Sequence, residues 1–365
     1  MKVAIVHYWL TGMRGGEKVL EALLELYPQA DIYTHVYNPA AVSPIIRDRR
    51  VYCSYINTLP FAKKMYQFYM PLMPNALMDF NLQGYDLVIS SESGPAKGVV
   101  PNPDAYHICY CHSPMRYLWD MYHEYFRNTS PLIKFFMRRL IPGLRLWDVS
   151  SANMVDRFIA NSRYVAKRIA RVYNRGAEIV YPPVSIERFL SVPRRTGDFY
   201  LFFGQLAGYK RADIAIEACI ASGRRLLVAG SGIRKKELRR YRKTSLVKFL
   251  GKIDDEELVS LFSRARALLF PGIEDFGIVP VEANAAGCPV IAFRQGGALD
   301  TVKEGVTGIF FDEQNPAALI GAMDKFEEIE LSFSGREAFS EHVRQFSRES
   351  FKKRITGIIN ERIRV

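Results

Sequence analysis

Short continuous apolar runs alternate along this chain with longer stretches whose apolar residues recur at helical spacing, the pattern of buried parallel strands joined by amphipathic helices. In the first half it predicts strands at Val3 to His7, Ile32 to His35, Asp86 to Ser90, His107 to Cys111 and Arg157 to Ala160, with a helix from Gly15 to Leu26. In the second half it predicts strands at Tyr200 to Phe203, Arg225 to Ala229, Val247 to Leu250, Ala267 to Phe270 and Val290 to Phe293. Helices fall between these at Arg211 to Ala221, Arg234 to Arg242, Asp255 to Arg264, Val281 to Ala286 and Pro316 to Phe326. Such alternation means α/β architecture with two doubly wound parallel sheets, each a Rossmann-like domain. The division is expected near Tyr181-Pro182-Pro183-Val184, since paired prolines are extended and stiff, and the domains are placed at 1–178 and 179–345. The basic stretch from Phe346 to Ile363 reads as a helix, so 346–365 is expected to cross back onto the first domain. Ligands of open α/β sheets bind beyond the carboxyl ends of the strands, and two such domains facing each other predict a deep cleft.

Composition adds bounds to that picture. At 365 residues and 48% hydrophobic, the chain can supply two cores. Cys53, Cys109, Cys111, Cys219 and Cys288 are odd in number, and Cys109-x-Cys111 is too tight for a zinc pair. They read as reduced, packed thiols of a cytoplasmic protein. The opening Met1 to Val6 is a strand entering a glycine turn, so neither a secretory leader nor a membrane span is expected there. The net charge of +12 is unevenly spread: Ser130 to Arg171 holds nine Lys/Arg against two acids, and Gly230 to Lys248 holds eight against one. Patches of that kind suit the phosphates of small substrates, anionic lipid or nucleic acid, and they also arise on solvated helix faces.

The candidate chemistry centres on Glu274-Asp275-Phe276-Gly277-Ile278-Val279-Pro280-Val281-Glu282, two glutamates joined by a glycine loop that enters a helix. Pro in the first turn followed by helix formers marks a helix N-terminus, whose free N–H groups can hold phosphate. The two carboxylates can then accept hydrogen bonds from hydroxyls on either side, which fits a nucleotide-sugar. Gly12-Met13-Arg14-Gly15-Gly16 and Gly230-Ser231-Gly232 each follow a strand and precede a predicted helix, where glycine lets the backbone approach a phosphate or simply makes a tight turn. Gly204-Gln205-Leu206-Ala207-Gly208-Tyr209-Lys210-Arg211 leaves a strand in the same way, and a Lys there can neutralise charge on a leaving diphosphate. A surface Lys-Arg pair is the other reading. His112 ends a buried-looking strand beside Arg116, where function concentrates in this fold class, although a lone His is often a hydrogen-bonded structural residue. Asp254-Asp255-Glu256-Glu257 is a helix cap with an acidic first turn. No His/Cys cluster argues for a metal, and no Ser-His-Asp constellation has supporting context.

Taken together, Gly15-Gly16, His112, Lys210-Arg211, Gly230-Ser231-Gly232 and the Glu274/Glu282 pair resemble glycosyltransferase family 4, a retaining family with the GT-B fold. Tyr209 to Ala218 and Glu274 to Glu282, with Ala286 to Val290 behind, carry the resemblance most specifically, and Tyr110 to Asp120 resembles bacterial mannosyltransferases that build O-antigen and capsule chains. The resemblance implies that Glu282 binds the donor ribose and Glu274 the sugar hydroxyls. It also implies that Phe276, Gly277, Ile278 and Val279 offer N–H groups, that Gly16 approaches the diphosphate, that Lys210 stabilises the leaving group, and that His112 touches the transferred sugar. Gln205 stands where many relatives place an Arg, so Lys210 or Arg211 would have to supply that charge. Arg14 and Arg116 are candidates on the acceptor side, which would be the first domain, with the donor in the second. The implied reaction needs no cofactor beyond the nucleotide-sugar and no metal, and the family mechanism nominates no protein base.

The expected activity is therefore retaining transfer of a sugar, mannose from GDP-mannose, to a saccharide, expected to be a lipid-linked oligosaccharide of bacterial surface-polysaccharide synthesis. A UDP-sugar donor, or a sugar-nucleotide epimerase or phosphorylase on the same fold, is the alternative. A nucleic-acid partner is not expected, because Glu274 and Glu282 would repel phosphate backbones. An anionic membrane surface is a further candidate partner. Ile133, Phe136, Met137, Leu140 and Leu144 form one helical stripe flanked by Lys134, Arg138 and Arg145, with Pro142 expected to break the last turn. Phe61 to Pro74 mixes bases and aromatics in a second such segment. A peripheral position on the inner face of the plasma membrane would follow, and a core-facing stripe is the competing reading.

Overall fold

The computed structural model describes residues 1–126, 129–232, 240–241, 244–330, 333 and 335–363. It divides the chain into two units, Met1–Pro183 with Phe351–Val365, and Val184–Ser350. The expected boundary at 178/179 moves to Pro183/Val184 because the chain is still in the first sheet at Ile179, and Val180 donates its N–H to the Ala160 carbonyl.

In the first unit, strands β1 (Val3–His7), β2 (Asp31–Thr34), β3 (Val51–Cys53), β4 (Leu87–Glu92), β5 (Tyr106–Cys111), β6 (Arg157–Ala160) and β7 (Ala177–Ile179) form a parallel sheet in the order β3-β2-β1-β4-β5-β6-β7. Alternate residues of β1 face opposite layers. Val3 and Ile5 pack with Val19, Leu20, Leu23 and Leu24 of helix α1 (Gly15–Leu26), while Ala4 and Val6 pack with Leu77, Phe80 and Leu82. Helix α3 (Arg163–Tyr173) packs on β5 and β6, and helix α2 (Pro131–Ser151) packs on Met115, Tyr117 and Leu118 of the loop that follows β5.

Helix α2 departs from expectation in two ways. It runs unbroken through Pro142, because Ile141, Leu144 and Asp148 are buried on either side of that position and hold both halves in place. Its apolar residues are also shared between two faces. Leu144 and the half-buried Met137 pack on Met115 and Leu118, whereas Leu132, Ile133, Phe135, Phe136 and Leu140 are exposed. The second segment, Phe61 to Pro74, is no single helix but the short turns Ala62–Met65, Tyr66–Leu72 and Met73–Ala76, entered by Phe61 in a left-handed conformation. No helix among the described residues is long and apolar enough to cross a membrane.

In the second unit, strands β8 (Tyr200–Phe203), β9 (Leu226–Ala229), β10 (Val247–Gly251), β11 (Leu268–Phe270), β12 (Val290–Phe293) and β13 (Gly308–Phe311) form a parallel sheet in the order β10-β9-β8-β11-β12-β13. Helices α4 (Ala212–Ala221), α5 (Asp255–Arg264), α6 (Ile278–Ala285), α7 (Pro316–Ile329) and α8 (Arg336–Arg344) follow in turn. Tyr200, Phe202, Leu226 and Val228 meet Ile214, Ala215 and Ala218 of α4 and Leu319, Met323 and Phe326 of α7 in one core. The helix expected at Arg234 to Arg242 lies largely outside the described residues. The closing helix α9 (Arg348–Ile363) places Phe351, Ile355, Ile358 and Ile359 in the core of the first unit.

Candidate functional site

In a doubly wound sheet the strand order reverses at one point, and the loops leaving the strands on either side of it part to leave a crevice. In the second unit that point lies between β8 and β11. The chain leaves β8 through Gly204 and a short turn, Gly208–Lys210, which presents Lys210; it leaves β11 through Pro271 to Ile273 and presents Glu274. The two side chains meet, Lys210 Nζ donating to Glu274 Oε1 at 2.7 Å with both largely shielded from water. An ammonium has three donors and a carboxylate about four lone-pair positions, so each retains capacity for a ligand.

Beyond Glu274, Gly277 takes φ 90° and starts α6 at Ile278, three residues earlier than the Val281 expected. Pro280 then sits inside the first turn, and the N–H groups around Gly277, Ile278 and Val279 are those a helix leaves without internal acceptors. Phe276 is buried against Phe346, ring centroids 5.6 Å apart, which anchors the loop. Glu282, one turn into α6, is partly buried and accepts a long contact from Arg188 Nη2 at 3.5 Å. Burial pushes its carboxyl up to about 7, with Arg188 opposing that rise and Asp255 adding to it.

The remaining candidates of this unit divide between the crevice and its frame. Gly230 is required because a methyl group there would overlap the Gly204 carbonyl, and the Leu206 N–H donates to the Ser231 carbonyl at 2.8 Å. Gly230 and Gly232 thus seat the Gly204–Leu206 turn, which is the tight-turn reading. Gln205 is exposed. Arg211, in a left-handed conformation, directs its guanidinium to Asp213 and Gln314, so among the described residues Lys210 is the cation beside Glu274. Asp254 caps α5, its carboxylate accepting from the Glu257 N–H at 2.8 Å.

Two features of the site escaped sequence reading. Arg188, in the short turn after the proline pair, pairs with Asp255 as well as Glu282. The Gly296-Gly297 loop after β12 packs its backbone on Glu274 to Phe276, the Gly297 N–H donating to the Glu274 carbonyl at 2.8 Å. A glycine pair following a predicted strand is the same signal that picked out Gly15-Gly16, and could have found this one.

In the first unit the reversal lies between β1 and β4. Gly15 and Gly16 open α1, with the Arg14 N–H donating to the Glu17 carboxylate at 2.8 Å while the Arg14 side chain is exposed. A methyl group at Gly16 would overlap the Tyr8 hydroxyl, so glycine is needed for that approach alone. His112 follows β5, donates its N–H to the Glu92 carbonyl at 2.7 Å, and sets its ring Nε2 2.9 Å from Ser91 Oγ. Arg116 is partly buried and reaches Met121 Sδ at 3.7 Å. Beneath this edge Lys97, Glu92 and Asp148 form a fully buried ionic cluster, and Trp119 Nε1 donates to Asp148 Oδ2 at 2.8 Å. Several bases of the first patch are likewise committed internally. Arg145 donates to the Leu118 carbonyl, Arg168 pairs with Asp120 and Ser113, and Arg157 pairs with Glu178 and Glu361.

Sequence comparison bears on this arrangement directly. Residues 13–188 match the family described as Glycosyltransferase Family 4, and residues 186–346 match Glycosyl transferases group 1. The chain belongs to the family 4 glycosyltransferases, and its two doubly wound parallel sheets are those of the GT-B fold. It is 28% identical over 253 residues to mouse alpha-1,3/1,6-mannosyltransferase ALG2, covering 60% of this chain and 58% of that protein. It is also 28% identical over 206 residues to the D-inositol 3-phosphate glycosyltransferase of Streptomyces scabiei, covering 47% and 46%. The chain thus spans about half the length of these curated relatives. HepE from Anabaena, solved with UDP, superposes with a TM-score of 0.74 at 18% identity, covering 99% of this chain and 100% of that one, which is a likeness of fold.

Proposed function

We propose that the protein is a retaining glycosyltransferase that moves a sugar, mannose from GDP-mannose, to a lipid-linked saccharide in the synthesis of a surface polysaccharide. The observation that carries this reading is the Lys210–Glu274 pair at the β8/β11 reversal, next to the N-terminus of α6. A cation and helix N–H groups suit a diphosphate; Glu274 and Glu282 supply acceptors for hydroxyls of sugar and ribose. His112 is assigned to contact with the sugar, and Arg14 and Arg116 to the acceptor. Transfer proceeds without a metal, the leaving charge falling to Lys210 and the helix terminus. Mannose is favoured by the kinship with a protein named as a mannosyltransferase, and a UDP-sugar donor by the fold likeness to HepE, so the donor base is the first thing to test.

A thermal-shift panel of UDP, GDP, dTDP and ADP with their sugars does so, because a ligand that binds the native state raises the midpoint. A rise with GDP and GDP-mannose is expected; a rise confined to UDP and UDP-sugars would replace the donor, and no rise with any would remove the reading. A peripheral place on an anionic membrane is part of the proposal. The exposed Leu132, Ile133, Phe135, Phe136 and Leu140 of α2, interleaved with exposed Arg138 and Arg139, support it.

A further inference from the structure

Three polar side chains link hands across the carboxyl edge of the first sheet at its reversal point. His7 ends β1, Ser91 lies opposite it in β4, and His112 follows β5, the next strand over. Ser91 Oγ is 3.2 Å from His7 Nδ1 and 2.9 Å from His112 Nε2. His7 and Ser91 are fully buried, and His7 Nε2 has no hydrogen-bond partner among the described residues.

Hydrogen counting leaves two arrangements. A serine hydroxyl has one hydrogen, so between two ring nitrogens it donates to one and accepts from the other. Burial, and next the neighbouring His112, hold the pKa of His7 well below its ordinary value, so its ring is neutral with a single N–H. If that hydrogen sits on Nε2, the protein buries an N–H with no acceptor, the rarer and costlier kind of orphan. If it sits on Nδ1, it donates to Ser91, and Nε2 keeps a bare lone pair. The second case is the less costly. The His7 ring abuts the first turn of α1, its Cε1 being 3.5 Å from where a methyl group on Gly16 would lie, and the positive end of a helix favours a neutral ring over a protonated one.

We propose that His7 and Ser91 are positioning residues that fix the tautomer of His112: His7 Nδ1–H donates to Ser91 Oγ, Ser91 Oγ–H donates to His112 Nε2, and the hydrogen of the His112 ring resides on Nδ1. In that tautomer the donor of the His112 ring is Nδ1–H. T-shaped contacts with Tyr110 and Tyr8, centroids 5.2 and 6.3 Å away, hold the ring plane, and Asn161 Nδ2 donates to the His112 carbonyl at 3.0 Å. The functional weight of this arrangement rests on the reading that His112 contacts the sugar. The arrangement itself does not.

Long-range proton–nitrogen correlation on protein with nitrogen-15 histidine reads the tautomer directly, with the His112 signals assigned by their loss in His112→Gln. The expected result is a protonated Nδ1 and an unprotonated Nε2 in both His112 and His7; a protonated Nε2 on His112 overturns the proposal. Ser91→Ala should shift His112 to a mixture of tautomers and lower kcat about tenfold, the size of one lost hydrogen bond, while the nucleotide-induced rise in midpoint stays. Ser91→Thr keeps the hydroxyl and should restore both readouts. An unaltered tautomer in Ser91→Ala, or an altered one with undiminished kcat, counts against the positioning role. If no sugar is transferred by the parent protein, the transferase reading fails while the nitrogen spectrum still decides the relay.

Discussion

Glu282 is the residue whose environment makes the sharpest demand. Burial raises its carboxyl to about 7, with Arg188 opposing and Asp255 adding, so the native state holds that proton more tightly than the unfolded chain does. The sign follows from linkage: this stabilising contribution is complete below the ordinary carboxyl value and is lost as pH rises through about 7. Glu282→Gln should remove that slope, so the variant gains stability relative to its parent between about pH 5 and about pH 8. Glu92, also raised to about 7 by burial, is common to both proteins and cancels in the difference. Nucleotide binding should run the other way, because ribose hydroxyls are bound best by the carboxylate. Affinity measured by calorimetry should rise across the same window in the parent and stay flat and weaker in Glu282→Gln; parallel pH profiles would remove Glu282 from the ribose role. At Lys210 the expected loss is in turnover. Lys210→Ala should slow transfer about 100-fold or more, as on removal of one electrostatic stabiliser, and the parent should remain active in EDTA. A strict need for Mg²⁺ or Mn²⁺ would transfer that work from Lys210 to a metal.

Among the elements, α2 shows what a one-dimensional pattern can and cannot convey. Its stripe was legible, but which half of the stripe is buried depends on Met115 and Leu118 arriving from another loop, and no periodicity reports that. The same cause explains the strands the sequence did not disclose. β3, β7 and β13 lie at sheet edges and are only three or four residues long, with β3 and β7 only partly buried, so their apolar runs are too short to stand out from the loops around them. The central strands, buried on both faces, were legible to within a residue or two. In the site, Lys210, Glu274 and Glu282 stood out because charged residues next to glycine turns after strands are visible locally, whereas Arg188 and Ser91 matter through partners distant in sequence. For membrane docking the relevant cations are Arg138 and Arg139, since Arg145 is held by the Leu118 carbonyl and lies over the Trp119 ring. Each contributes on the order of 1 kcal/mol near anionic lipid. Replacing both by Gln, together with Phe135→Ser and Phe136→Ser, should release the protein from anionic vesicles without changing nucleotide binding. High salt should detach the parent by screening. Equal partition of parent and variant would return this face to solvent.

At the scale of the whole molecule, the chain order and the spatial order part company at its end. After the second unit closes, α9 returns to the first, where Phe351 meets Tyr110 edge-on at 5.6 Å and Ile355, Ile358 and Ile359 join Ile5, Ile108 and Ile159 in one core. Polar contacts fix its placement: Lys352 pairs with Glu25 at 3.0 Å, and Arg157 pairs with Glu361 at 2.8 Å. The first fold is therefore incomplete without α9, and its stability depends on side chains that follow the second unit in sequence. Phe351→Ala deletes a fully buried ring from the core of the first unit and should cost about 3–5 kcal/mol there. Hydrogen exchange resolves which unit bears the loss. Amides of β1, β4 and β5 should exchange faster in the variant, while those of β8, β11 and β12 keep their protection and the nucleotide still adds to it. Faster exchange confined to the second sheet, or equal in both, would show that α9 stabilises something other than the core it enters.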